Sequence, residues 1–297
     1  MALRMNLGDR SEVRIYYLPH LVAHHCGLFA LEGLEVSFVQ SQSGGHTVKG
    51  GQVPAVISGE ADLTIGGAMV TMKHAEEGLQ LVNFCAAVRT NPWYVLGRSP
   101  EPDFQLSNLH DEDVLDIANV GTASFIFDEI MAREKIAARR HVQPDIETVE
   151  DWLGSEAKYA IHHLHAAAPA IASGQVVALS PLAQATGGVP WSTYIARPDV
   201  MASHPEAFTA FRNAIAAALR KMETLPSGEL AAMVSDDFPD LSQDERRVAI
   251  ELGRTAGLWP DSPEIPRADF ERFGTKLIEV GWLTRMPDWQ ALTIEKD

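Results

Sequence analysis

The residues best suited to chemistry in this chain sit in short glycine-rich or polar stretches between apolar runs. His46 lies in SGGHTVKGG (43–51), where an imidazole on a permissive backbone can act as general acid or base, or donate to an anion. Ser43, Gly44 and Gly45 precede it and let the backbone approach a ligand closely. Thr122 and Ser124 in GTAS (121–124) place hydroxyls at a helix start, where backbone N–H groups suit a carboxylate, sulfonate or phosphate. The same residue types also serve as plain helix caps. Arg89, in AVRTNPWY, can clamp an anion with two N–H groups, or form a surface ion pair in a chain rich in carboxylates. Asp9, after the first apolar run, and Gly67 with Ala68, after the third, complete the loop residues expected to face a ligand. Among Tyr16, Tyr17, Trp93, Trp191 and Tyr194, the residues Tyr16 and Trp191 adjoin loops and are expected to touch it.

The histidines invite a metal reading, which their spacing does not support. IHHLH (161–165), taken as helix, puts His162 and His165 on one side and His163 on the other, with no cysteine nearby. His24 and His25, close to His20, likewise diverge. No metal and no cofactor are expected. Cys26 and Cys85 lie in apolar company without a C-x-x-C neighbour and read as buried thiols.

Positioning these residues requires alternating strands and helices. LRMNLGD (3–9) alternates as a strand, 16–28 has helical spacing closed by Gly27, and GLEVSFVQ (33–40) is a second strand. ADLTIGG (61–67) and LQLVNFCAAV (79–88) are further strands around a helix from Ala68. After WYVLGRSP (93–100) a new alternation begins: VLDIANVG (114–121), a helix from Phe125, a strand over 146–149, a helix over 155–173, and QVVALS (175–180). WSTYIARP (191–198) returns the chain, and the remainder is helical. There Ser203 is expected to cap a helix begun by Pro205, and Ser242 with Glu245 to form a capping box. The acidic run MVSDDFPDLSQDERR (233–247) reads as a solvated helix–loop–helix face. At 297 residues the chain has room for about two domains. Its formal charge of −16 and the lack of a basic run argue against nucleic acid. No stretch is apolar enough to insert in a membrane, and the N-terminus lacks a secretory leader. Taken as given that points to the cytoplasm; a trimmed leader would point to the periplasm.

LPHLVAHHCGLFALEGLEVSFV, then VISGEADLTIGG, NVGTAS, AIASGQVVAL and ASHPEAFTAFRNAIAAAL, resemble the ABC-transporter solute-binding family for nitrate, taurine, aliphatic sulfonates and thiamine-pyrimidine precursors, over about residues 3–225. The resemblance implies an α/β, two-lobe periplasmic-binding-protein-like (type II) fold, with two parallel-rich sheets joined by two crossing strands and a ligand held by lobe closure. Residues 1–92 plus 195–297 would form one lobe and 93–194 the other. The ligand would be a small anionic or zwitterionic molecule, a sulfonate, carboxylate or pyrimidine, and the further partners ABC-transporter membrane subunits.

The loop around His46 is also similar to that of the aromatic sulfinate desulfinases, which pair a cysteine nucleophile with a histidine and an arginine. Here His46 keeps the histidine and Lys49 falls near the arginine, while Tyr16 stands at or near the cysteine position, so the nucleophile is absent. The pyrimidine-forming enzyme branch carries a cysteine-rich motif of which this two-cysteine chain has no trace. The alternative to binding alone is therefore a cytoplasmic lyase or hydrolase using His46. A ligand-sensing module would need an output domain, and no DNA-binding appendage is seen.

Overall fold

The computed structural model describes residues 1–7, 14–40, 53–117 and 121–294. The strands are β1 (Ala2–Asn6), β2 (Glu35–Val39), β3 (Leu63–Gly66), β4 (Val82–Val88), β5 (Trp93–Gly97), β6 (Asp113–Asp116), β7 (Arg139–His141), β8 (Tyr159–His163), β9 (Val177–Pro181) and β10 (Ser192–Ala196). The helices are α1 (Leu18–His25), α2 (Leu28–Leu31), α3 (Val53–Ser58), α4 (Ala68–Glu76), α5 (Gly121–Arg133), α6 (Val149–Leu153), α7 (Leu164–Ala172), α8 (Ala183–Thr186), α9 (Pro198–Ser203), α10 (Pro205–Thr224), α11 (Ser227–Met233), α12 (Gln243–Thr255), α13 (Arg267–Glu279) and α14 (Trp289–Leu292). They fall into two compact units: Met1–Arg89, Gly188–Val234 and Trp259–Asp297 form the first, Thr90–Gly187 and Ser235–Leu258 the second.

In the first unit the sheet order is β2-β1-β3-β10-β4, with β1 parallel to β2 and β3, and β10 antiparallel to both neighbours. Every residue of β4 is buried, as a strand covered on both faces requires. Phe84 on β4 meets Phe208 of α10 edge-on at 4.9 Å, and Phe211 of the same helix stacks on Phe29 and meets Tyr194 of β10. At the sheet's end the β4 backbone is not left open: Ala86 N donates to Pro263 O at 2.8 Å and Asn83 bridges to Thr293, so the chain's last segment covers that edge. Asn83, fully buried, accepts from the Thr193 hydroxyl at 2.7 Å and donates to Thr71 Oγ1 (2.8 Å) and Leu292 O (3.0 Å). A neutral amide is thereby satisfied inside the core.

The second unit repeats the plan as β7-β6-β8-β5-β9, with β6 parallel to β7 and β8 and β5 antiparallel to β8 and β9. Both sheets are thus mixed and parallel-rich: four strands of each run one way and one, β10 or β5, runs against them. Helix α12 packs on α7. Tyr94 Oη donates to Leu252 O at 2.7 Å, and the buried Arg246 guanidinium donates to the carbonyls of Phe238 and Leu241. The Tyr94–Leu252 bond and the packing of α12 on α7 tie Ser235–Leu258, expected in the other lobe, to this unit. The chain therefore passes between units four times, at 89/90, 187/188, 234/235 and 258/259, where the sequence suggested two passages near 92 and 195.

Three local expectations are corrected. Residues 146–149 are not a strand: the Thr148 side chain accepts from Asp151 N at 3.1 Å and caps α6, and the strand is β7. The helix expected over 155–173 begins only at Leu164, because 159–163 pair with β5 and β6 as β8. Ser203 ends α9, its hydroxyl donating to Asp199 O at 2.8 Å, and His204 stands at the cap of α10. The Ser242 and Glu245 capping box is present at α12.

Candidate functional site

In open α/β sheets ligands meet the carboxyl ends of the parallel strands, where loops turn into helices. In the first unit Thr64 Oγ1 donates to Asn6 O at 3.1 Å and locks the end of β1 to β3. Gly67 then starts α4 in extended backbone (φ −72°, ψ 131°). The Gly67 Cα stands close to the Trp191 backbone: an added Cβ would lie 3.5 Å from Trp191 O. Trp191 is buried and leads into β10, whose first residue Ser192 donates to Tyr17 Oη at 3.5 Å. Tyr16 and Tyr17 form a single 3-10 turn with their rings edge to face at 5.0 Å, and Tyr16 O accepts from Trp259 Nε1 at 2.9 Å. Burial pushes the Tyr16 phenol up, so it stays neutral. Tyr16, Tyr17, Gly67, Ala68 and Trp191 are therefore brought to one corner of this unit.

Arg89 is turned elsewhere. Its guanidinium lies 3.6 Å from Asp261, and both border a cavity of about 200 Å³ with Pro190 and Pro260. Asp9, Ser43, Gly44, Gly45, His46 and Lys49 lie outside the described residues.

In the second unit Thr122 is half-buried in the first turn of α5. Ser124 is buried, and its hydroxyl donates to Asp116 Oδ2 at 2.5 Å, so its proton points to an internal carboxylate. Asp116, at the end of β6, has a fully inaccessible side chain and lies 3.3 Å from Arg140, which forks onto Asp128 at 2.7 and 2.9 Å. The negative charge favoured near the start of α5 is thus supplied from within.

The histidines sort by strand and helix. His162 and His163 pair with Tyr94 and Trp93 across β8 and β5, on alternating faces. His163 Nδ1 accepts from Ala166 N at 3.2 Å and caps α7, which leaves the proton of the neutral ring on Nε2. His165 lies against Phe238 at 5.7 Å, and exposed His24 covers Phe38 at 5.0 Å. Among the described residues no group of histidine, cysteine and carboxylate side chains is placed to hold a metal. His20 is buried with Nδ1 3.2 Å from Tyr194 Oη, and burial, then the nearby charge of His24, pushes its pKa down to about 3. Cys85 is buried, which pushes its thiol up, whereas Cys26, expected to be buried, is half-exposed with Sγ 3.9 Å from Met233 Sδ.

Two positions escaped the sequence reading. Asp116 was signalled by a lone carboxylate within the apolar run VLDIANVG. Asn91, fully buried, accepts from Trp93 N at 3.0 Å and opens the second unit beside Thr90, whose hydroxyl reaches Gly187 O at 2.8 Å. In AVRTNPWY the charged Arg89 and the aromatic Trp93 stood out, because a neutral amide beside a proline reads as turn.

Two five-stranded mixed sheets with covering helices make this the periplasmic-binding-protein-like fold. Residues 14–228 match the NMT1/THI5-like family, and the chain belongs to it. It is 19% identical over 280 residues to YtlA, a candidate binding protein of Bacillus subtilis (strain 168), covering 91% of this chain and 82% of that protein. Among solved structures it is similar to the periplasmic aliphatic sulphonate binding protein SsuA of Escherichia coli, with a TM-score of 0.74 and 12% identity over 100% of this chain and 94% of that one. It is also similar to the ligand-binding component of an ABC-type import system from Staphylococcus aureus, with a TM-score of 0.71 and 11% identity over 99% and 96% of the two chains. Among the described residues no helix is long and apolar enough to cross a membrane.

Proposed function

We propose that this chain is the solute-binding component of an ABC-type importer, taking up a small anionic or zwitterionic organic molecule: a sulfonate, a carboxylate or a pyrimidine. The observation that carries the reading is the family match over 14–228 on a fold shared with ABC-importer binding proteins. The geometry supports it through Gly67, whose backbone at the start of α4 lies next to the ring-bearing corner of Tyr16, Tyr17 and Trp191. The further partners of this reading are the membrane subunits of the importer.

The test is a thermal-shift screen of small sulfonates, carboxylates and pyrimidines, with mass spectrometry of each stabilising compound after incubation. Binding at a hundredfold excess over Kd stabilises the folded state by about 2.7 kcal/mol. The reading predicts at least one such compound, recovered intact. Conversion of that compound would replace binding by catalysis, and a panel without effect would remove the ligand class.

A further inference from the structure

The carboxyl end of β4 borders a cavity of about 200 Å³ built wholly from the first unit. Its floor is apolar, with Ala86 and Ile265 both buried. Pro190, Pro260 and Pro266 form its walls, and their fixed φ angles make it a preformed site. An apolar cavity of about 150 Å³ already holds one benzene-sized molecule, so this one has room for a compact branched or cyclic aliphatic group.

The charges at its rim fall into two kinds. Glu264 is held by Arg212 at 2.9 Å, and Asp269 by Arg272 at 2.7 Å. Arg89 and Asp261 only approach to 3.6 Å, beyond a hydrogen bond, with side chains 44% and 96% exposed. Such a loose pair in water contributes little and is easily opened. An aliphatic floor below one available guanidinium and one available carboxylate is complementary to a molecule with an anionic and a cationic group at one end and a small branched body at the other.

We propose that this cavity is a second ligand site, for an aliphatic α-amino acid zwitterion: carboxylate on Arg89, ammonium on Asp261, side chain on Ala86 and Ile265. The site adjoins two chain passages. Val189 N donates to Arg89 O at 2.9 Å, Arg272 donates to Gly188 O, and the Asp269 carboxylate fits against Gly188 so closely that an added Cβ would stand 2.7 Å from it. An amino acid bound there would rest against the segments that leave the first unit at 89/90 and return to it at 187/188.

The experiment titrates L-valine into the full chain by calorimetry, to about 10 mM, beside isovalerate and isobutylamine, which each carry half of the charge pair. L-Valine binds, each half-molecule binds at least about tenfold more weakly, and Arg89→Leu weakens L-valine by at least about tenfold. Ala86→Leu, which fills the floor, abolishes binding; should it disturb β4, the half-exposed Arg89→Leu still gives the answer. Absence of binding by L-valine, equal binding by isovalerate, or undiminished affinity in Arg89→Leu would overturn the proposal. The importer's ligand is titrated separately, so failure here leaves the proposed function intact, and the converse.

Discussion

In the first unit the antiparallel strand β10 lies between β3 and β4, and in the second β5 lies between β8 and β9, each beside a parallel trio. The two sheets differ in the polar groups they bury at comparable places. The first satisfies Asn83 with two hydroxyls and a carbonyl, all neutral. The second buries the Asp116 carboxylate and relies on Ser124 and Arg140 to compensate it. Taking a charge out of water costs several kcal/mol before its partners offset it, whereas a fully bonded amide costs little. At these two places one topology therefore supports two different sensitivities: the buried node of the second sheet is ionic, that of the first neutral.

The sharpest way to break this comparison is to delete each node. Asp116→Ala is expected to destabilise the second unit by about 3–4 kcal/mol, since it leaves Arg140 partly uncompensated and Ser124 without its acceptor. Asn83→Ala should cost the first unit about 2–3 kcal/mol. Denaturant unfolding followed by a probe in each unit measures both, and a larger loss for Asn83→Ala would reverse the contrast.

The first unit is not wholly without titration, because His20 is kept neutral by burial. Its folded pKa is depressed, so the unfolded chain takes up a proton below about pH 6.5 that the folded unit refuses until near 3. By pH 5 this amounts to a loss of up to about 2 kcal/mol. In His20→Leu stability between pH 7 and 5 should flatten by that amount, and an unchanged slope would place the acid sensitivity elsewhere.

Glu76 gives a smaller effect at the surface. Its carboxylate accepts from Thr284 N and Oγ1 and from Arg285 N, and pairs with Lys73 at 3.0 Å, which together hold its pKa down to about 2. The stabilisation is present above its unfolded value of about 4.5 and is lost as pH falls toward 2. Glu76→Gln should cost about 1–2 kcal/mol at pH 7, a cost that shrinks below pH 4.5 and vanishes only below about pH 2, read from thermal unfolding. Smallest of all, Glu271→Gln breaks only an exposed i,i+4 pair with Arg267 and should change stability by less than about 0.5 kcal/mol.

The units also differed in how readily the sequence disclosed them. In the first, β1 and β2 alternate, β3 ends in glycine, and Gly27, with φ at +67°, ends α1 where it is expected. In the second, KYAIHHLHAAAPAIASG carries no glycine or proline between β8 and α7, so strand and helix read as one helix. The break is made by His163, in extended backbone, whose imidazole replaces the usual Ser, Thr or Asp cap. The excursion of Ser235–Leu258 into the second unit was equally hidden, because an amphipathic helix specifies an apolar face and not which sheet receives it. In the first unit the structure groups Tyr16, Tyr17, Gly67 and Trp191, which the sequence places on separate loops and strands. The direction of Ser124 toward Asp116 and of Arg89 toward Asp261 was not legible, since each depends on a partner brought near only by folding.

The most direct test of the central claim is a calorimetric titration of the most stabilising small anion or pyrimidine into the wild type and Gly67→Leu. At Gly67 an added Cβ meets neighbours only at 3.5 and 3.7 Å in backbone open to any residue, and the rest of the leucine side chain covers the start of α4. The account predicts an unaltered Tm without ligand and an affinity weakened at least about tenfold, or about 1.4 kcal/mol. Equal affinity in the two proteins would show that the ligand does not rest on the strand ends of the first unit.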